Sequence, residues 1–596
     1  MKSSRLMGLI ALCCLFALGS FNASAACKVD NLVDIPVTMT GMQPIVEATF
    51  EGKAVRLMAD SGAFFGIVHG TTAAHYKLKM SQAPMGMYVR GATGTANFSV
   101  GTVHDFGLAG LKLNHVPFLV IDNDLPESID GVLGQNVLGL ADIEYDLSGG
   151  LLRIMRPHDC ADVFLGYWAP ASQINVIELD RGSSDETSTT GIGYVNGNKI
   201  KILFDTGAES SFLSLEAAAR AGVKPDDPGV VPGGTVHGGG HRHPESWIAP
   251  FSVFRMGKEE IRHTHLRIAD LDLGDADMVL GADYFLSHHV YVANSQKKIY
   301  VSYTGGAVFN LTTGFAEKSA TPSTAATTTV AADGVTPLDA EGFARRSAAS
   351  VSRRDFAAAL SDLNQACSLA PKEAKYLVQR SRVYFSMGKH AESIGDLDRA
   401  LALRPDDYDT QLLRADTRRR DGKTDEGLAD VQAVDKAVAQ ADPIRFEIGE
   451  AYLAADQFAQ AVAQFDQWIP AHSTDSRLGS ALNARCWARA LWGRELEQAA
   501  DDCNGALKRA QKGDSLYAAA IDSRAMVRLR QGDCASAIHD YNEALAVAPD
   551  SAWSLFGRGI CRLRKGDATN GNADLAAARA LSGGIDARAR KFGIAP

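Results

Sequence analysis

Lys201-Ile202-Leu203-Phe204-Asp205-Thr206-Gly207-Ala208 is the stretch whose reading decides the fold. An acid, a hydroxyl residue and a glycine follow a short apolar run, which reads as a strand entering a tight turn with the acid at its end. The same arrangement stands earlier, as Val55-Arg56-Leu57-Met58-Ala59-Asp60-Ser61-Gly62-Ala63. A lone Asp-Ser/Thr-Gly arises by chance roughly once in every few chains of this size, so one copy carries little weight. Here the downstream context repeats as well. Gly134 of Val132-Leu133-Gly134 lies 74 residues after Asp60, and Gly281 of Val279-Leu280-Gly281 lies 76 residues after Asp205. The chain therefore reads as an internal duplication of about 120 residues.

Around this duplication, 596 residues are too many for one hydrophobic core, and three or four domains are expected. A formal charge of −10 and an isoelectric point near 5.9 give no general attraction to nucleic acid or anionic membrane, so neither is expected as a partner. Lys2 and Arg5, the apolar run from Leu6 to Leu18 and the small residues Ala23-Ser24-Ala25 read as a secretory signal peptide over residues 1–25. A periplasmic or secreted protein is expected, with no membrane span in the mature chain. Cys13 and Cys14 leave with the signal, and seven cysteines remain, an odd total that leaves at least one thiol over or makes an intermolecular bridge. Cys27 and Cys160 are suggested to tie together the ends of the first half. Cys486 and Cys503 read either as a bridge or as two buried thiols. No CxxC or Cys/His spacing points to zinc, and no cofactor or metal is implied.

Residues 34–158 and 186–304 both read as β-rich half-domains joined by a connector at 159–185. Short apolar or alternating runs such as Ile45–Phe50, Phe118–Ile121 and Leu151–Ile154 are separated by Gly- and Asn-containing turns. Asn196-Gly197 is a hairpin signal, Leu215–Arg220 has helical character, and Lys298–Tyr303 closes the second unit. Each copy carries a glycine-punctuated hairpin between its acid and its Leu-Gly, at about 85–95 and 232–243. Residues 305–340, rich in Thr, Ala, Ser and Gly, read as a linker. From 341 to 585 the pattern is helical with a period near 34, marked by Pro371 and Pro405, Gly388 and Gly422, and Gly532 and Gly566. That period, with small residues where paired helices cross, resembles the tetratricopeptide repeat. About six or seven units fit. The resemblance implies an all-α solenoid that binds a protein partner.

Two carboxylates held within hydrogen-bonding distance cannot both ionise cheaply and titrate as a pair with one pKa raised. The ionised member takes a proton from water while the protonated one polarises a carbonyl, which is hydrolysis without a metal or covalent intermediate. Asp60-Ser61-Gly62-Ala63 and Asp205-Thr206-Gly207-Ala208, each with its later Leu-Gly, resemble the motifs of retropepsin-like and pepsin-like aspartic proteases. The resemblance implies an all-β pseudo-dimer of two tandem halves, catalytic Asp60 and Asp205, and Ser61, Gly62, Thr206 and Gly207 as their supports. It also implies flaps over the cleft and a polypeptide substrate. Ala59 stands where a bulkier residue is usual, and the second flap carries His237, His241 and His243, a metal-binding or pH-responsive set or a solvated loop. Turn-capping acids, a non-catalytic peptide-binding adaptor of the cell envelope and pairing between two chains are the competing readings of the same residues. A monomer with an internal pseudo-dimer is expected; the separation of the two carboxylates decides between catalysis and the adaptor, and solution mass at low concentration between an internal pair and pairing of two chains.

Overall fold

The computed structural model describes residues 27–83, 89–91, 94–121, 129–180, 188–236, 244–309, 311, 338–475, 477–510, 512 and 515–595. The stretch read from sequence as a signal, 1–25, most of that read as a linker, and the histidines at 237, 241 and 243 lie outside the described residues. The chain divides into two compact units, 1–362 and 363–596.

In the first unit the duplication is visible in the strand order. The strand Lys53–Ala59 runs parallel to Gly131–Leu133, which pairs antiparallel with Ile67–His69, which in turn lies parallel to Leu111–Ile121. The second half repeats each step with Asn198–Phe204, Met278–Leu280, Phe212–Ser214 and Glu259–Ala269. Asn196 and Gly197 both take positive φ, 48° and 81°, as a two-residue hairpin turn requires, and join Thr190–Val195 to Asn198–Phe204. The helix Leu215–Arg220 follows, with Ser214 capping its first turn through Ala217 N.

Six strands knit the halves together, three from each. Asp142–Asp146 pairs antiparallel with His288–Ala293, and outward from this join lie Leu151–His158 and Lys28–Thr40 on one side, Lys298–Tyr303 and Asn175–Glu178 on the other. Asn175–Glu178 falls in the stretch read from sequence as a connector. It takes the same place in the second half that Lys28–Thr40 takes in the first. At the join Glu144 is fully buried, with His289 Nε2 at 2.7 Å, the Tyr167 hydroxyl donating at 2.5 Å and an ion pair to Arg153. Burial alone would raise this carboxyl, but His289, Arg153 and Tyr167 outweigh it and hold it below the usual range. Cys27 and Cys160 are bridged, closing 133 residues of chain.

The second unit is helical. Its hairpins pair Ala374–Ser386 with His390–Leu403, Tyr408–Arg420 with Thr424–Ala437, Arg445–Ala454 with Phe458–Ala471, Leu478–Trp492 with Leu496–Leu507, Ser515–Gln531 with Cys534–Val547, and Ala552–Arg564 with Ala568–Leu581. One polar device recurs. Arg380, Arg414, Arg524 and Arg558 each grip, with two nitrogens at 2.6–3.0 Å, an aspartate sixteen residues on (Asp396, Asp430, Asp540, Asp574), and Arg485 does the same with Asp502. A third nitrogen of each reaches back to Asn364, Asp398, Asn504, Asn542 and Asp466 on the preceding hairpin. The hairpin of Arg445–Ala454 lacks the pair, with Ile448 and Gln464 at those positions. Cys486 and Cys503 form a bridge across the two helices of one hairpin, and Cys367, Cys534 and Cys561 are free thiols.

Candidate active site

Each acid sits where its strand ends. Asp60 N donates to Leu133 O (3.0 Å) and Asp205 N to Leu280 O (2.9 Å), so the Leu-Gly strand of each half fixes the point at which the acid leaves the sheet. Beyond the turn, Gln135 N and Ala282 N return to Ala63 O (2.8 Å) and Ala208 O (2.7 Å). Gly134 and Gly281 are glycines because a Cβ there would press on the carbonyl oxygens of Ala63 and Ala208, at 2.8 and 2.7 Å.

The hydroxyls cross between halves. Thr206 Oγ1 donates to Ala59 O (2.7 Å) and accepts from Ser61 N (3.0 Å), while Ser61 Oγ donates to Phe204 O (2.9 Å) and accepts from Thr206 N (2.9 Å). Both side chains are buried, and every polar atom of the exchange is paired, as a dry interface demands. Four bonds thus lock two turns 145 residues apart in sequence.

The turns meet back to back, and each carboxyl lies against the glycine of the opposite turn. A Cβ at Gly62 would lie 2.6 Å from both carboxylate oxygens of Asp205, and one at Gly207 would lie 2.8 Å from Asp60 Oδ1. No side chain larger than hydrogen fits either place. Asp60 Oδ1 accepts from Gly62 N and Ala63 N, both at 2.8 Å, and Asp205 Oδ1 from Gly207 N at 2.9 Å. Burial first, and then the charge of Asp205, pushes Asp60 well above the ordinary carboxylate range. Burial also raises Asp205, offset in part by the hydrogen bond from Asp60 and by backbone N–H groups. The two carboxyls titrate as a coupled pair, the charge on one opposing ionisation of the other.

All six residues singled out from the sequence are brought together here. Two features escaped that reading. Gln135, in the first copy only, donates to Ser61 O (2.8 Å) from beneath the turn; Ala282 takes its place in the second. One residue further on, Asn136 Oδ1 accepts from Gly66 N (2.8 Å), and Asp283 accepts from Ser211 N (3.0 Å) and Ser211 Oγ (2.7 Å). Asn136 and Asp283 are each two residues past the Leu-Gly glycine, and that matched offset is the signal that would have found them. At the first flap a hairpin of Val89–Gly91 and Gly94–Ala96 is present; at the second, Val231–Thr235 pairs with Glu245–Met256. Among the described residues no group of three or more His, Cys, Asp or Glu is placed to hold a metal ion.

An aspartyl protease family model matches residues 46–137, and a gag-polyprotein putative aspartyl protease model matches residues 192–288. Each match contains one acid turn and its Leu-Gly. A tetratricopeptide repeat model matches residues 378–443 and 523–585. The chain carries two aspartyl-protease-like domains followed by tetratricopeptide repeats. No match was found among curated proteins. Of solved structures, a tetratricopeptide repeat protein from Parabacteroides merdae ATCC 43184 is 16% identical with a TM-score of 0.35, over 43% of this chain and 97% of its own. The APC/C hetero-tetramer Cut9-Hcn1 is 15% identical with a TM-score of 0.31, over 37% of this chain and 42% of the other.

Proposed function

We propose that this protein is an aspartic endopeptidase whose Asp60 and Asp205 share one proton and activate water against a peptide bond. The observation that carries the reading is the meeting of two carboxyls, each against the other turn's glycine, across duplicated turns locked together by Ser61 and Thr206. The protonated member of the pair donates toward the substrate carbonyl oxygen. The ionised member accepts a proton as the water oxygen attacks the carbonyl carbon. When the tetrahedral adduct collapses, the newly protonated carboxyl gives its proton to the departing amide nitrogen while an adduct hydroxyl returns its proton to the other carboxyl, so the pair is left with one, as it began. Ser61, Thr206, Gly62 and Gly207 act as positioning residues that set the spacing of the carboxyls. The repeats hold a protein partner or substrate, the usual use of stacked helical hairpins. The signal-like leader supports a periplasmic or secreted site of action.

The test is hydrolysis of an unstructured protein by the purified mature chain between about pH 3 and 7, a range that brackets carboxylate dyads. Wild type should cleave, and Asp205→Asn should lose on the order of 10³-fold or more. No cleavage by wild type, or equal cleavage by the variant, would leave a non-catalytic peptide-binding adaptor.

A further inference from the structure

We propose that Tyr145 is a positioning residue of the acid pair: its hydroxyl, shut in beneath the first acid turn, is a polar prop that favours the ionised form of the pair. The inference deepens the reading of Asp60 and Asp205 as a proton-sharing dyad and rests on it.

Tyr145 lies on Asp142–Asp146, the first-half strand of the join. Side chains alternate along a strand, and here the two faces differ in kind. On one face Asp142 is taken by Ser295, Glu144 by His289, Arg153 and Tyr167, and Asp146 by Ser148 and Gly149. Ile143 and Tyr145 occupy the other, in the buried apolar core. There the Tyr145 ring meets Phe285, from the helix Ala282–Ser287, at 5.3 Å between centroids. Asp283 of that helix is bound to Ser211, and His288 just beyond it to Glu259. The charged groups that act on the Tyr145 hydroxyl are Asp60 and Asp205, with Ser61 and Gln135 as polar neighbours.

Tyr145 is completely buried, and among the described residues its hydroxyl makes no hydrogen bond of normal geometry. For packing alone this is a liability. A buried polar atom without a full partner lowers stability, and phenylalanine would fill the same space without it. The oxygen is also present in one half only. Tyr145 stands eleven residues after Gly134; eleven after Gly281 stands Val292, just as Gln135 is matched by Ala282. The floor under the first acid turn thus carries an amide and a phenol where the floor under the second carries two apolar side chains.

A hydroxyl uncommitted to an acceptor is able to turn its hydrogen toward negative charge. Beside two buried carboxyls that freedom stabilises the pair once one member ionises, and does little while both are protonated. No proton leaves the phenol. Burial, and then the charge of Asp60, hold it well above its ordinary range, so it acts as a dipole throughout.

Tyr145→Phe in the full chain tests this in two ways. On a peptide substrate, the acid limb of the kcat profile should move up by about 0.5–1 pH unit with KM unchanged, because the pair gives up its first proton less readily. Guanidinium unfolding needs no activity. Near pH 3 the midpoint of the variant should equal or exceed that of wild type, and near pH 7 this advantage should shrink or reverse. In an Asp60→Asn, Asp205→Asn background the effect of Tyr145→Phe should be the same at both. An acid limb that stays in place, a midpoint change independent of pH, or a variant destabilised equally at every pH would make Tyr145 a core residue and overturn the proposal. Should the wild-type chain cleave nothing, the protease reading fails, while the unfolding comparison still decides whether the hydroxyl acts on the pair.

Discussion

Asp60 and Asp205 lose water on folding and face each other, and both facts bear on pH. Folding raises the Asp60 carboxyl above its unfolded value of ~3.9, so the folded chain keeps a proton that the unfolded chain releases. The contribution of this group to stability is therefore most favourable below the unfolded pKa and declines as pH climbs toward the folded one. Asp60→Asn removes the ionisation. Guanidinium unfolding should find the variant equal to wild type near pH 3 and more stable than wild type at neutral pH; an equal loss at both would contradict the shared proton. Thr206→Val keeps the shape but strands Ser61 N and Ala59 O in a buried interface. The expected cost is about 1–3 kcal/mol for each group left unpaired, with activity falling alongside, and Thr206→Ser should restore both.

Among the elements, the acid turns and the arginine–aspartate ladder show different degrees of legibility. Asp-Ser/Thr-Gly with its Leu-Gly is read easily, because the residues that make the turn are contiguous. Asn136 and Asp283 were missed because their partners, Gly66 and Ser211, lie about 70 residues away, and nothing local marks the pairing. The ladder was legible in principle, since Arg and Asp recur sixteen apart, but small residues and prolines carried the reading of the repeat. Asp540 shows what the ladder does. It is completely buried and pairs with both Arg524 and Arg528. Asp540→Ala should cost the array about 3–5 kcal/mol in chemical denaturation, much of it from two guanidiniums left without their partner. Asp550, exposed in a turn, offers the control: Asp550→Ala should stay within about 0.5 kcal/mol.

At the scale of the molecule, both acids belong to one compact unit, residues 1–362, so a single chain supplies the whole dyad. Specific activity should be constant on dilution over about three decades of protein concentration, and a fall at low concentration would indicate pairing between chains instead. Sequence by itself determined the duplication, the all-β to all-α order and the acid turns. Each of these is written in short-range chemistry: a hydroxyl and a glycine after an acid, an Asn-Gly turn, a helical hairpin repeating every 34 residues. The suggested Cys27–Cys160 bridge is present, and the structure chose the bridge over buried thiols for Cys486 and Cys503. Only the tertiary structure decided that Asp60 and Asp205 meet across the two turns, that Glu144 meets His289 at the join and that Arg588 and Lys591 reach Asp456. Those pairs stand 145, 145, 132 and 135 residues apart, distances over which only the packing of the folded chain, and no local preference, selects the partner.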